Sequence, residues 1–326
     1  MRSTWPEAVS GALPAEFALI ARHFRPLAGV GALDLQDDAA VLAPPAGREL
    51  VLTCDAMVAG VHFLPDDPPD LVGRKLLRVN LSDLAAKGAL PIGYLMTVST
   101  PRETSDEWFA AFAAGLLQDQ RQYGVTLLGG DTTSTPGPIS LSLTILGHVA
   151  PGHAVRRAGA RAGDAIWVTG TIGDGALGLA VAHGRLADPT GYLLSRYRLP
   201  QPRVGIAIDG IASAGMDVSD GLVQDLGHIC RASGVVAEIE AARVPLSPQA
   251  RVAGGPWLTT CLTGGDDYEL LLAVPPEREA ALRDAAQATG TAVTRIGRFL
   301  AGAPEVIVRG ADGQPLSLDR GGWSHF

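Results

Sequence analysis

The sequence predicts a two-domain α/β (α+β) protein, and three observations carry that expectation. At 326 residues, with 47% hydrophobic and only 5% aromatic residues, the chain is long enough to bury two cores. Its 40 glycines and 23 prolines follow no collagen-like period, which indicates short elements joined by many turns. Apolar runs of strand character alternate with segments of helical period, and a basic, Gly/Ala-rich stretch at 151–163 divides them into two sets. The expected domains are 1–150 and 151–326.

In the first set, residues 15–24 carry an amphipathic helical pattern, and a Gly-rich passage then leads to Asp37 and Asp38 before an expected strand over 39–42. A strand at 50–54 delivers Asp55 at its end, ahead of a loop at 57–63 that contains His62. Within 76–88, Leu77, Leu81, Leu84 and Gly88 recur at helical spacing, and Leu76, Val79, Asn80, Asp83 and Lys87 form a second row beside them. Asp83 therefore leaves the helix at the edge of an apolar surface. A carboxylate there needs a cation, either Lys87 four residues on or a metal. An Asp-to-Lys pair at that spacing contributes only about 0.2–0.5 kcal/mol, yet surface ion pairs outnumber metal sites, so Asp83 alone reads as an ion pair.

A strand follows at 92–99. Thr104 and Glu107 form a capping box for a helix with Trp108, Phe109, Phe112 and Leu116 on its buried stripe, ending near Gly124. A short strand at 125–128 runs into Gly129, Gly130 and Asp131, where glycine lets a ligand approach the backbone closely. Alternation of Ile139, Leu141, Leu143 and Ile145 marks a strand over 139–146.

The second set opens with a strand at 165–169. Gly173, Gly175 and Gly178 then satisfy GxGxxG, but Asp188 comes too soon for the ribose-binding acid of a dinucleotide site, so close helix–strand packing is the better reading. Asp217, Ser219 and Asp220 lead into a helix whose apolar face is Leu222, Val223, Leu226, Ile229 and Cys230. Capping accounts for one of those three polar residues, and a helix N-terminus also suits a phosphate. Gly264, Gly265, Asp266 and Asp267 precede a strand at 268–274, a helix follows at 277–287, and a hairpin is expected over 306–318 with its turn at Asp312 and Gly313.

A formal charge of −8 and a pI near 5.3, with no basic patch, exclude a nucleic-acid or anionic-membrane surface. Cys54, Cys230 and Cys261 form no CxxC pair, which fits a reducing cytoplasm. Pro6, Glu7 and Glu16 interrupt the apolar segment a signal peptide would need, and no stretch reaches membrane-spanning length, so a cytoplasmic location is expected.

Asp37, Asp38, Asp55, Asp83, Asp131, Asp217, Asp220, Asp266 and Asp267 each sit beside glycine or at the end of a regular element. Gathered without metal they would repel one another, so a cluster of them implies bound cations, and oxygen-only ligands favour Mg²⁺ or Mn²⁺. The common reason to gather such ions is a nucleoside triphosphate. Neither a GxxxxGK[ST] loop nor a protein-kinase signature is present.

Eight ordered segments carry a resemblance to a known family: DDAAV from Asp37, TCDAMVAGVHF from Thr53, VNLSDLAAKG from Val79, LLGGDTT from Leu127, RRAGARAGD from Arg156, MDVSDGLVQDLGH from Met216, GGDDYEL from Gly264, and the terminal GWSHF. With them the chain resembles the thiamine-monophosphate kinases of the aminoimidazole-ribonucleotide synthetase-like superfamily. The resemblance implies a two-domain fold, an N-terminal sheet that forms a barrel across a homodimer, and a C-terminal domain closing over the site. It implies ATP-dependent phosphorylation of thiamine monophosphate to thiamine diphosphate with several Mg²⁺ ions, the last step in making that cofactor. Carried to matching positions, Asp37, Thr53, Cys54 (through its backbone), Asp55, Asp83, Asp131, Asp217 and Asp220 would ligate magnesium, with Asp55, Asp83 and Asp131 central to catalysis. Gly130, Asp131, Arg157 and Ser219 would meet ATP, and His62, Asp267 and Trp323 the acceptor.

Outside that frame His62 reads as a loop histidine, Trp323 as core closure and Arg157 as a linker charge. Gln36 and Lys87 depart from the family, which usually has glycine and often has methionine there. The alternatives are a hydrogenase-maturation-like or selenophosphate-forming relative, a noncatalytic ATP-binding scaffold and, last, a dinucleotide oxidoreductase.

Overall fold

The computed structural model describes residues 15–318 and 321–322. Its first half begins with α1 (Ala15–Leu19), which continues as a π-helical turn, Ile20–Phe24, so the helix expected over 15–24 changes pitch midway. There follow β1 (Glu49–Val58), α2 (Pro69–Ala86), β2 (Leu90–Thr100), α3 (Asp106–Tyr123), β3 (Thr126–Ser134) and β4 (Ser140–Val149). The strands lie in the order β1-β4-β2-β3, with β2 and β3 parallel and the other pairs antiparallel. Helices α2 and α3 cover one face through Leu76, Leu77, Leu81, Phe112 and Leu116. The sheet stays open among the described residues, and Leu50, Leu52 and Leu95 remain exposed on it.

Pro69 starts α2, its fixed φ suiting the first turn, and Gly88 at φ +69° follows the helix end at Lys87. The four leucines Leu76, Leu77, Leu81 and Leu84 are fully buried. Ala85 and Ala86, in the last turn, pack instead with Trp167, Leu270 and Leu272 of the second half. A single helix thus feeds both cores. Buried Arg78 adds to this: it donates to Asp119 of α3 at 2.5 and 3.0 Å and to the Pro200 carbonyl at 2.8 Å.

The second half contains β5 (Ala165–Thr169), α4 (Asp174–Ala182), α5 (Tyr192–Arg198), β6 (Ala214–Asp217), α6 (Leu222–Ser233), β7 (Val235–Glu240), α7 (Pro248–Ala253), α8 (Leu258–Thr263), β8 (Leu270–Val274), α9 (Glu279–Ala288), β9 (Val293–Ala301) and β10 (Glu305–Arg309). Six strands lie in the order β10-β7-β9-β5-β8-β6, all antiparallel except β10 with β7. Central β5 and β8 are buried along their whole length, which explains their unbroken apolar runs. The whole is a two-domain mixed α/β fold.

Several elements differ from expectation. Residues 39–42 form no strand; Val41 is exposed, and its N–H bonds the Gly31 carbonyl instead of a sheet neighbour. β3 does not stop at Leu128 but runs through Gly129, Gly130 and Asp131, because parallel pairing with β2 continues to Ser134. Asp55 lies inside β1, which pairs with β4 as far as Val58. Ser105, not Thr104, caps α3, accepting from the Trp108 N–H at 3.3 Å. The hairpin turn at Asp312 and Gly313 forms, but its return arm makes only an isolated bridge at Pro315, a residue with no N–H to donate.

Candidate active site

Two groups of acids stand out, and α2 and β1 build the first. The Thr53 hydroxyl of β1 donates to the Asp83 carboxylate at 2.5 Å, and the Asp55 N–H donates to the side-chain carbonyl of Asn80 at 3.1 Å. Asn80 is held in turn by its own donation to the Leu76 carbonyl at 2.9 Å. From the other half, β6 brings Asp217, which accepts from the Ser82 hydroxyl at 2.6 Å. Burial pushes Asp55 up to about 6, helped by the charges of Asp83 and Asp220. Burial likewise pushes Asp217 up to about 7, with Asp83 and Asp55 adding to it against the Ser82 hydrogen bond. Thr53, Asp55, Asp83, Asp217 and Asp220 are therefore assembled from separate elements into one electrostatic unit at the domain junction.

Asp225 extends this unit. One of its oxygens accepts from the N–H groups of Ser219, Asp220 and Gly221 at 3.0, 3.0 and 3.1 Å, shaping the turn before α6. Its other oxygen is buried with no hydrogen-bond partner, and burial, with Asp217 and Asp220, raises the group to about 8. Ligand atoms of Asp220, Asp225 and His228 lie within 4.8 Å of one another. An orphaned buried oxygen and several carboxylates held against their mutual repulsion fit hard divalent cations such as Mg²⁺. Arg157, exposed at the rim, lies near enough to Lys87 and His228 to lower both, although burial is the larger cause in each.

Lys87 does not pair with Asp83. Its ammonium reaches the Gly215 carbonyl at 3.3 Å, crossing to the second half, and among the described residues no salt bridge joins it to Asp83. Cys54 is exposed on β1 with its thiol 3.5 Å from the Ser142 hydroxyl.

The second group lies elsewhere. Asp37, Asp38, Gly130 and Asp131 line a cavity of about 530 Å³ whose apolar wall includes Phe24, Leu35 and Leu127. Asp55 pairs with Leu143, Leu143 with Met96, and Met96 with Gly130, so Gly130 and Asp55 share a row across the sheet but occupy opposite edges. Three strand spacings, roughly 14 Å, separate them.

The expected acceptor residues are spread similarly. His62 accepts from the Val58 N–H through Nδ1 at 3.0 Å. Asp267 is fully buried, and its two oxygens take the N–H groups of Gly173 and Gly175 at 2.6 and 3.1 Å. This occupies the anion-binding start of α4, which is why the GxGxxG pattern makes no open phosphate loop. Its neighbour Asp266 is instead partly exposed, at 27%, with the Lys75 ammonium at 3.4 Å. Trp323 lies outside the described residues. Asn80, Ser82, Asp225 and His228 escaped assignment from sequence, and Asp266 was grouped with the acids without a role of its own; all five fall within quoted motifs.

Comparison with known proteins agrees with this architecture. Residues 36–149 match the N-terminal domain of AIR synthase related proteins and residues 161–309 match the C-terminal domain, so the two-domain fold is that of this class. The thiamine-monophosphate kinase of Caulobacter vibrioides is 45% identical over 98% of this chain and 93% of its own length. That of Salmonella typhimurium is 43% identical over 95% and 98%. The chain belongs to the thiamine-monophosphate kinase family of enzymes. The crystal structure of the Stenotrophomonas maltophilia member superposes with a TM-score of 0.82 at 41% identity, covering 93% of this chain and 98% of that one. AaThiL complexed with AMPPCP and TMP superposes at 0.75 with 32% identity, over 89% and 91%. Hydrogenase maturation protein HypE in complex with ATP shares the fold alone, at 20% identity and a TM-score of 0.76.

Proposed function

We propose that this chain transfers the γ-phosphoryl group of ATP directly, in line, to the phosphate of thiamine monophosphate, giving thiamine diphosphate and ADP. The observation that carries the reading is the set of carboxylates held together at the domain junction, with Asp55 and Asp217 raised to about 6 and 7. Asp37, Thr53, the Cys54 backbone, Asp55, Asp83, Asp131, Asp217 and Asp220 would hold Mg²⁺. An ion held by these residues would supply positive charge to offset that of the polyphosphate. The acceptor phosphate has its second pKa at about 6, so its oxygen is already mostly ionised and needs no general base. The protein's task is to bring two anions together and keep them aligned.

Gly130, Arg157 and Ser219 are assigned to ATP, the apolar wall of the cavity suiting a nucleobase and its acids a metal-bridged phosphate. His62 and Trp323 are assigned to the acceptor, the ring of Trp323 to the cationic thiazolium. Asp267 supports the acceptor side by fixing its turn, and the accessible carboxylate there is Asp266. Residues 1–150 form the nucleotide and dimerisation part, and 151–326 close over it.

A homodimer completes the reading. The edge strands β1 and β3 of this open sheet, with Leu50 and Leu52 exposed on β1 and Leu95 on β2, would meet those of a second copy and close a barrel. If those edges pair, β3 of the second copy, the strand that carries Asp131, would lie next to β1, the strand that carries Asp55. We place the protein in the cytoplasm, and among the described residues no helix is long and apolar enough to cross a membrane. A hydrogenase-maturation role or a noncatalytic scaffold is not favoured, because the resemblance to HypE reaches only the fold.

Purified protein incubated with Mg·ATP and thiamine monophosphate, followed by chromatography, should yield thiamine diphosphate and ADP in equal amounts. ADP without thiamine diphosphate, or neither product, defeats the reading.

A further inference from the structure

We propose that Lys75 is a positioning residue for the acceptor subsite, locking the His62 loop of one domain to the Asp266 turn of the other; this rests on the kinase reading above. Lys75 sits on α2 and is only 3% exposed, an unusual place for an ammonium. Three groups surround it. It donates to the His62 carbonyl at 3.1 Å, lies 3.4 Å from the Asp266 carboxylate and stands 4.1 Å above the ring of Tyr197. Each comes from a different element: the loop after β1, the turn before β8, and α5. An isolated buried ammonium would be strongly disfavoured, so these contacts must persist together.

The turn it grips is itself under constraint. Asp266 and Tyr268 both have positive φ, +70° and +53°, where side chains are disfavoured. Asp267 anchors that turn inward to Gly173 and Gly175, and the Tyr268 hydroxyl donates to Asp266 at 3.2 Å. Lys75 supplies the hold from the opposite domain. It thereby sets the gap between His62 and Asp266, the two groups facing the thiamine moiety in our reading, while the acids around Asp83 lie two turns farther along α2. Loss of the ammonium should loosen acceptor binding and leave the nucleotide side intact.

The test is a KM and kcat comparison. Lys75→Met keeps the stem and removes the charge; its KM for thiamine monophosphate should rise about tenfold, while kcat and KM for ATP stay within about threefold. Lys75→Arg should recover part of the loss. In the Lys75→Met/Asp266→Asn pair the penalties should overlap and not add, because both cut one link. Equal rises in the two KM values, or an unchanged acceptor KM, overturn the inference. Were Lys75→Met unable to fold, Lys75→Gln retains a donor for the His62 carbonyl and should show the same split; an unchanged acceptor KM there is equally decisive. Wild-type turnover in the same assay tests the kinase reading separately. A wild type that makes no thiamine diphosphate defeats that reading, whereas an active wild type with an indifferent Lys75 variant defeats only this inference.

Discussion

Ser82 and Asp217 meet across the domain junction, the hydroxyl of one donating to the carboxylate of the other at 2.6 Å. Ser82 belongs to the helix that carries Asp83, so this bond registers the acids of one domain against those of the other. It partly offsets, and does not cancel, the burial and neighbouring charge that lift Asp217 to about 7.

The pH dependence follows from that lift. In the unfolded chain Asp217 ionises near 3.8, whereas in the folded chain it keeps its proton to about 7. Folded protein therefore binds more protons between those values, and metal-free stability falls as pH rises through that window. Thermal melts in chelator should show Asp217→Asn gaining stability over wild type at pH 7.5, by roughly 1–3 kcal/mol, and no advantage near pH 4. Mg²⁺ should stabilise wild type at pH 7.5 and the variant much less. A stability difference that does not change with pH would contradict the assignment.

Gly130 is confined by its backbone. At φ +154° a Cβ there would lie 1.8 Å from the Met96 carbonyl oxygen, so Gly130→Ala must push β3 away from β2. A loss of about 1–3 kcal/mol is expected, together with a raised KM for ATP, because the same shift displaces Asp131. Circular-dichroism melts and nucleotide titration would check both.

Leu52 is 59% exposed on β1. Leu52→Glu should leave the monomer fold within about 0.5 kcal/mol, since surface changes away from packing are nearly neutral. Under the proposed pairing, sedimentation should find wild type as a dimer and Leu52→Glu as a monomer, and turnover should fall in parallel. A dimeric, active Leu52→Glu protein would reject the paired-sheet arrangement.

Lys87 reaches Gly215 and makes no ion pair with Asp83. Lys87→Met should accordingly leave the Mg²⁺ concentration for half-maximal activity within about threefold of wild type. A shift of about tenfold to lower Mg²⁺ would show that the ammonium does compete for Asp83.

The strongest periodicities were read correctly because they report burial: β4 alternates as expected, and the leucines of α2 are buried. What the sequence hid depends on pairing between distant segments. Nothing local tells that Gly129 to Asp131 belongs to a strand, since only its partner β2 fixes that. Nor can adjacent acids be told apart by composition: of Asp266 and Asp267, the difference between an accessible carboxylate and one spent on Gly173 and Gly175 lies in a turn with positive φ. Conversely, Asp37 and Asp131 share a cavity distant from Asp55, a division that motif order alone does not convey.

Helix α2 gives its leucines to the first core and Ala85 and Ala86 to the second, while Arg78 reaches Pro200. Neither half can melt without stripping apolar cover from the other. Heating or denaturant should therefore unfold the chain in one transition, and a fragment beginning after residue 150 would expose Trp167, Leu270 and Leu272 and aggregate rather than fold alone.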